Sequence, residues 1–347
     1  MTDMVERAMR IADEVLAPAA DEVDRTGTIP GSHFDCLAEG GFYGLVAPPE
    51  FGGAGVEFGD FLRIIEVLAA GCVTTTFTWL QHHGIVMGLA TTPNAGLRQK
   101  CLRQAAEGTL RGGGAFSGVI PVPPRVVATR SGEGWSFNGE VTFVSGWGYV
   151  DVLHVSAFDP DSGQVVSGLV DAKPGKGIAA VHPLELVAAQ GSNTVRLVFD
   201  NLIVPDERVT TRIDREEFLN GLVVGLRVDS SLAFGLIDRA ARGIAGLGET
   251  DVAGALRAEA TELRNRFDAA LADPPALPAL RAETSELAAR ACSAYVVAAG
   301  GRALVRGHEA QRLARESLFT LVVASRPSVK AALLERLAGH ADAAGGA

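Results

Sequence analysis

What this sequence lacks narrows its function first. The four cysteines, Cys36, Cys72, Cys101 and Cys292, lie far apart and form no CxxC pair. Each therefore reads as a small buried apolar residue in a reducing compartment, not as a metal ligand or half of a disulfide. Basic residues do not cluster, and the formal net charge is −10, which argues against duplex nucleic acid or an acidic membrane as the main partner. The N-terminus has no apolar signal core, and no apolar run reaches the length of a membrane span. These absences predict a cytoplasmic protein that does not insert into a membrane. No internal repeat is visible.

What is present suits a well-buried globular chain. Hydrophobic residues make up 47% of 347 positions and charged residues 21%, enough for two or three packed modules. Helical spacing governs residues 3–20, until Pro18 disturbs it, and returns at 32–40, 57–70, 75–91 and 94–107. The pattern then changes to strands at 113–119, 125–130, 134–138, 140–144, 150–158, 165–171, 178–181, 184–188 and 194–199. Asn138-Gly139 is a hairpin signal, because a type I′ turn needs positive φ at both central residues. Leu202–Pro205 reads as the exit from the β region. Helices resume at 215–247, 251–272, 280–299 and 309–324, with Asp273–Pro278 a hard break between two of them. Glu259, Glu262, Arg264 and Arg266 read as a solvent-facing charge pattern. Ser325 is placed to cap a final helix with Pro327 in its first turn.

The expected fold is thus α+β and multidomain. An N-terminal helical domain (1–111) is followed by a central β-barrel-like domain (112–212) and a C-terminal helical bundle (213–347). His82 and His83 are neighbours on one helix and point about 100° apart, so they do not form the i, i+4 pair that a metal site would use. They read as an ordinary interfacial or solvent-facing pair. Phe143, Ser145 and Trp147 fall at strand ends beside a helical interface, a place suited to a flat cofactor.

Four segments, in order, resemble the acyl-CoA dehydrogenase family over nearly the whole chain. APPEFGG (47–53) is similar to that family's Pro-Glu-x-x-Gly-Gly turn, and GWSFNGEVTFVSGW (134–147) to its strand segment ending in Thr-Asn. NTVRLVFDNLIVPDERV (193–209) is similar to the stretch that leaves the family's β domain, and AAGGRALVRGHEAQRLARES (298–317) to its Gly-Gly and Arg-Asp helix region. The resemblance implies a flavoenzyme that uses FAD to oxidise an acyl-CoA or acyl-carrier-protein thioester across its α,β carbons. In that chemistry a carboxylate takes the α-proton. It further implies assembly as a homo- or hetero-oligomer with a related subunit, through the C-terminal helices.

Carried over by position, Phe116 and Ser117 on one strand and Phe143 and Ser145 on its neighbour would hold the flavin ring. Gly300 and Gly301 would let backbone approach the rest of FAD. Read from the residues alone, the two phenylalanines are equally core residues, the serines strand caps and the glycines a helix–helix turn.

The departures concern chemistry. GVIPVPPR (118–125) replaces the family's acidic residue and Gly-Ser-Asp turn. By ungapped count the catalytic glutamate falls on Ala324, and an alternative site falls near Gly225–Leu226; neither position is acidic. Asp229, one turn on, is the nearby substitute, with an exposed or helix-paired acid as its plain reading. The arginine that reaches the flavin diphosphate is missing, and 243–254 is shortened. Two further readings therefore stand beside the dehydrogenase: a non-catalytic partner subunit of a heteromeric dehydrogenase, and a flavin monooxygenase on the same fold.

Overall fold

A computed structural model describes residues 2–324 and 326–339. The chain opens with α1 (Asp3–Ile11), a π-helical turn at Ala12–Leu16, and α2 (Ala17–Thr26). Pro18 does not end this helix. It sits at the start of α2, and the preceding turn widens so that Ala17 N–H donates to Ala12 O, the local adjustment by which helices absorb such a defect. Next come α3 (Gly31–Glu39), α4 (Phe58–Gly71), α5 (Val73–Thr91) and α6 (Ala95–Ala106). Asn94 caps α6, its side chain accepting Leu97 N–H at 3.0 Å.

The eight strands are β1 (Gly112–Ala115), β2 (Val126–Ser131), β3 (Gly134–Val144), β4 (Val152–Phe158), β5 (Gln164–Asp171), β6 (Ile178–Pro183), β7 (Val195–Pro205) and β8 (Val209–Asp214). They form one mixed sheet in the order β6-β7-β3-β2-β4-β5-β8, with β1 parallel to β4. Three strand expectations change. Residues 117–119 form a 3-10 turn, residues 184–188 are not a strand, and β7 continues through 202–205, paired with β3. The hairpin expected at Asn138-Gly139 is also absent: β3 runs straight through it. The true β2–β3 turn is Gly132-Glu133, where Ser131 pairs with Gly134 and Gly132 has φ 57°.

The Asn-Gly pair instead builds a bulge. The β3–β7 register slips between Phe137 and Gly139, and Asn138 Oδ1 accepts Asn201 N–H at 2.8 Å. At Gly139, φ is 123° and a Cβ would lie 1.9 Å from Arg125 O, so only glycine fits.

Helices resume as α7 (Arg215–Gly246), α8 (Thr250–Ala269), α9 (Leu277–Ala299), α10 (Glu309–Val322) and α11 (Pro327–Leu337). Arg326 occupies the N-cap of α11 without a side-chain cap bond; Ser325 and the tail after residue 339 lie outside the described residues. Among the described helices, α7 alone matches a membrane span by length and mean apolarity, and 59% of that window is buried inside the protein. The N-terminal helices and the C-terminal bundle share one hydrophobic core, while the sheet has its own.

Polar ties bind the two helical regions. Glu66 of α4, nearly fully buried, meets Arg227 of α7 at 3.1 Å and Arg264 of α8 at 2.9 Å. Arg264 is therefore recruited into the interior, where it also lies over Phe234, and does not belong to a wet face. Arg312 of α10 reaches Asp21 of α2 at 2.9 Å.

His82 and His83 are buried, not solvent-facing. His82 accepts Gly112 N–H at its Nδ1 (3.1 Å) and donates from Nε2 to Ala105 O (3.0 Å), while His83 Nε2 lies 3.1 Å from Phe42 O. Burial pushes their pKa values down to about 4 and about 3, and that of His154 to about 4. Folded values below the ordinary one stabilise the protein fully above pH 6.5, and that contribution is lost as pH falls through the folded values. Each of His82 and His154 is worth on the order of 3 kcal/mol at neutral pH. Urea unfolding at pH 7.5 and pH 4.5 should show a clearly lower midpoint in acid. Equal midpoints would mean that these rings are not held neutral.

Candidate functional site

The end of β3 is where the sequence-predicted residues meet. Between Val141 and Val144 the β3–β7 register slips a second time, and in the slip Phe143 takes φ 59°. Left-handed backbone costs a bulky residue about 1–2 kcal/mol. Its usual return would be a buried side chain, yet the Phe143 ring is 68% exposed. The strain therefore holds an aromatic face out of the core. Ser117, at the start of the 3-10 turn after β1, donates from Oγ to Thr142 O at 2.7 Å, which fastens that turn beside Phe143. Phe116 precedes it, half-buried.

Ser145 is turned inward. Its Oγ lies 2.7 Å from Thr194 Oγ1, which lies 2.7 Å from Ser192 Oγ, and all three residues are buried. Ser117 and Phe143 are thus brought together, with Phe116 beside Ser117 in the chain, and Ser145 belongs to a separate buried hydroxyl trio. Gly300, with φ 63°, and Gly301 stand exposed in the α9–α10 connection, and nothing would meet a Cβ on either within 4 Å.

The loop after Ser117 is clamped by a residue that sequence reading missed. Arg215, the first residue of α7, donates to the carbonyls of Val119 (3.2 Å), Ile120 (2.9 Å) and Pro121 (3.1 Å). The loop's Val122 is left 85% exposed.

Asp229 lies half-buried on α7. Other shielded acids of the bundle are paired, as Glu316 is with Arg312 at 3.1 Å and Glu309 with Arg239 at 2.6 Å. Asp229 makes no ion pair or side-chain hydrogen bond among the described residues. Burial pushes its carboxyl up to about 6, against the pull of the Arg281 and Arg326 guanidiniums. Neither arginine is visible in the sequence as anything but a charge inside or beside a helical pattern. Ala324, at φ 51° just past α10, presents only a methyl group.

Residues 2–109 match the model of the acyl-CoA dehydrogenase N-terminal domain. Among curated relatives, cyclohex-1-ene-1-carbonyl-CoA dehydrogenase of Syntrophus aciditrophicus is 25% identical over 215 residues, 59% of this chain and 51% of that protein. Butyryl-CoA dehydrogenase from Megasphaera elsdenii superposes with a TM-score of 0.80 at 17% identity, covering 98% of both chains. A glutaryl-CoA dehydrogenase from Mycobacterium smegmatis in complex with FADH2 does so with 0.82 at 14% identity, over 97% of this chain and 94% of that one. Residues 2–109 thus carry the acyl-CoA dehydrogenase N-terminal domain, and the chain as a whole has the fold of the acyl-CoA dehydrogenases. It spans about half the length of the curated relatives it matches. The family fold of N-terminal helices, central sheet and C-terminal helices is present.

Within that family fold, Phe143 should behave as a strained surface residue. Compared as flavin-free proteins, Phe143→Asn, which places a residue tolerant of left-handed backbone there, should leave the melting temperature unchanged or raise it slightly. A drop of several degrees would show that the ring contributes packing. Asp229→Asn, which cannot ionise, should abolish the loss of stability that the wild type suffers as pH rises from about 4 through about 6. It should therefore stabilise the protein at neutral pH, as read by urea unfolding.

Proposed function

We propose that this chain is a flavin-linked oxidoreductase acting on an acyl thioester, with FAD held at the end of β3. The observation that carries this reading is Phe143, an aromatic face kept exposed at the expense of backbone strain. The residues present suit a flavin ring in part. Phe143 offers the flat face, with Ser117 fastened beside it. Ser117 Oγ spends its proton on Thr142 O, so it has only lone pairs left to offer a ligand. Ser145 supports the strand end through Thr194. The open backbone at Gly300 and Gly301 would take the remainder of the cofactor. Bound FAD would supply the two-electron acceptor for α,β-desaturation.

The chain's own part in the chemistry is to orient the acyl group and to accept the α-proton. Asp229 is the carboxyl proposed for that role. Its oxygens are not committed to any described partner, and a proton affinity near neutrality is what a general base requires. A thioester of CoA or of an acyl carrier protein would serve equally, and a related subunit could complete the site.

Ala324 favours a second reading. A methyl group at the position counted for the family's glutamate is what a partner subunit without its own proton acceptor would carry.

Absorbance of the purified chain separates the two readings. The first predicts a yellow protein whose visible band bleaches on adding an acyl-CoA. It also predicts that Phe143→Asn loses most of its flavin while remaining folded. Protein that stays colourless after incubation with FAD contradicts it, and colour acquired only on co-expression with a related chain supports the second.

A further inference from the structure

Beside Phe143 stands a loop whose polar groups are nearly all turned back onto the protein. Its two feet are bonded to β3, the strand that carries the ring. Ser117 Oγ donates to Thr142 O at 2.7 Å, and Glu140 N–H donates to Arg125 O at 3.2 Å. Arg125 N–H in turn donates to Gly118 O at 2.7 Å, which closes the neck of the loop. Val122 is three residues from Arg125, so it lies within about 11 Å of that foot.

Residues 118–124, GVIPVPP, hold no ionisable or hydroxyl side chain, and Arg125 at the foot is the one charge of the segment. The N–H groups of Val119 and Ile120 bond to Phe116 O and Ser117 O, while Pro121, Pro123 and Pro124 have none. Arg215 takes the carbonyls of Val119, Ile120 and Pro121 with its Nε and Nη2. What the loop turns outward is hydrocarbon, above all Val122, 85% exposed. This apolar tip is therefore held still by a guanidinium that comes from another domain. Because α7 also bears Asp229, the same clamp ties the helix of the proposed proton acceptor to the strand of the ring.

We propose that loop 118–125 selects an apolar acyl group, with Val122 as the specificity-determining residue and Arg215 as the positioning residue that holds it. The proposal rests on the acyl-thioester reading and names the class of acyl group within it. A hydrocarbon tail laid against Val122 removes apolar surface from water on both sides. A tail ending in a carboxylate would lose water there without gaining a donor, which disfavours it. Without Arg215 three carbonyls of the loop lose their donor, and the loop no longer offers a fixed surface.

Calorimetric titration of the full chain, incubated with FAD, tests this with hexanoyl-CoA in one arm and adipoyl-CoA in the other. The two acyl groups share their chain length and differ at the far end. Hexanoyl-CoA should bind about tenfold or more tightly than adipoyl-CoA, and Val122→Lys should narrow or reverse that ratio. Arg215→Ala should lower the ratio and speed amide hydrogen exchange at Ile120 and Arg125, and Arg215→Lys should recover part of both. Equal binding of the two by the wild type overturns the proposal and leaves the thioester reading intact. An unchanged ratio in folded Val122→Lys does the same. Tighter binding of adipoyl-CoA, with Arg125 receiving its carboxylate, overturns it as well. Wild-type exchange or a wild-type ratio in Arg215→Ala overturns the role of Arg215. Binding of neither acyl-CoA removes the thioester reading and this proposal with it.

Discussion

The strand β3 is held on both edges, by β2 on one side and β7 on the other, and this double pairing constrains everything near the candidate site. A strand free on one edge can relieve a poor backbone angle by fraying. One paired on both sides has to place its irregularities where the neighbours allow. β3 does so twice. The first slip puts Gly139 against Arg125 O, where no side chain fits. The second puts Phe143 in the left-handed region with its ring outside the core. Ser117 then locks the turn after β1 onto the same strand end. The exposed ring follows from the register of the sheet, not from a flexible loop.

The C-terminal bundle shows a related economy in its charges. Its deep arginines are mostly paired in full. Arg227 lies between Glu66 and Asp268, and Arg312 among Asp21, Glu309 and Glu316. These clusters fix α7, α8 and α10 to the N-terminal helices. The group around Asp229 breaks that habit, with two cations, one carboxyl of raised pKa and no direct pair. A purely structural cluster would be expected to resemble its neighbours. The contrast within one bundle is what singles out Asp229 as the proposed proton acceptor.

Much of the architecture could be read from the sequence because periodicity is a local property. The helix–sheet–helix order and most helix limits followed from apolar spacing alone, and the family from four short motifs in order. The errors arose where one local signal serves two structures. Asn138-Gly139 supplies positive φ equally well to a hairpin and to a bulge, and only the pairing of β3 with β7 chooses between them. His82 and His83 look polar until their ring nitrogens find backbone carbonyls and amides inside the protein. Position in the sequence points to Phe143, but its strained backbone and its exposure are properties of the sheet. It points to Ser145 as well, and Thr194, nearly 50 residues away, turns that side chain inward.

The central claim is that the strained Phe143 ring exists to carry a planar cofactor. The most direct measurement is a crystal structure of the chain with FAD. The account predicts the isoalloxazine in van der Waals contact with Phe143 and φ at that residue still positive. A flavin ordered elsewhere, or a Phe143 relaxed to negative φ with its ring in the core, would contradict it.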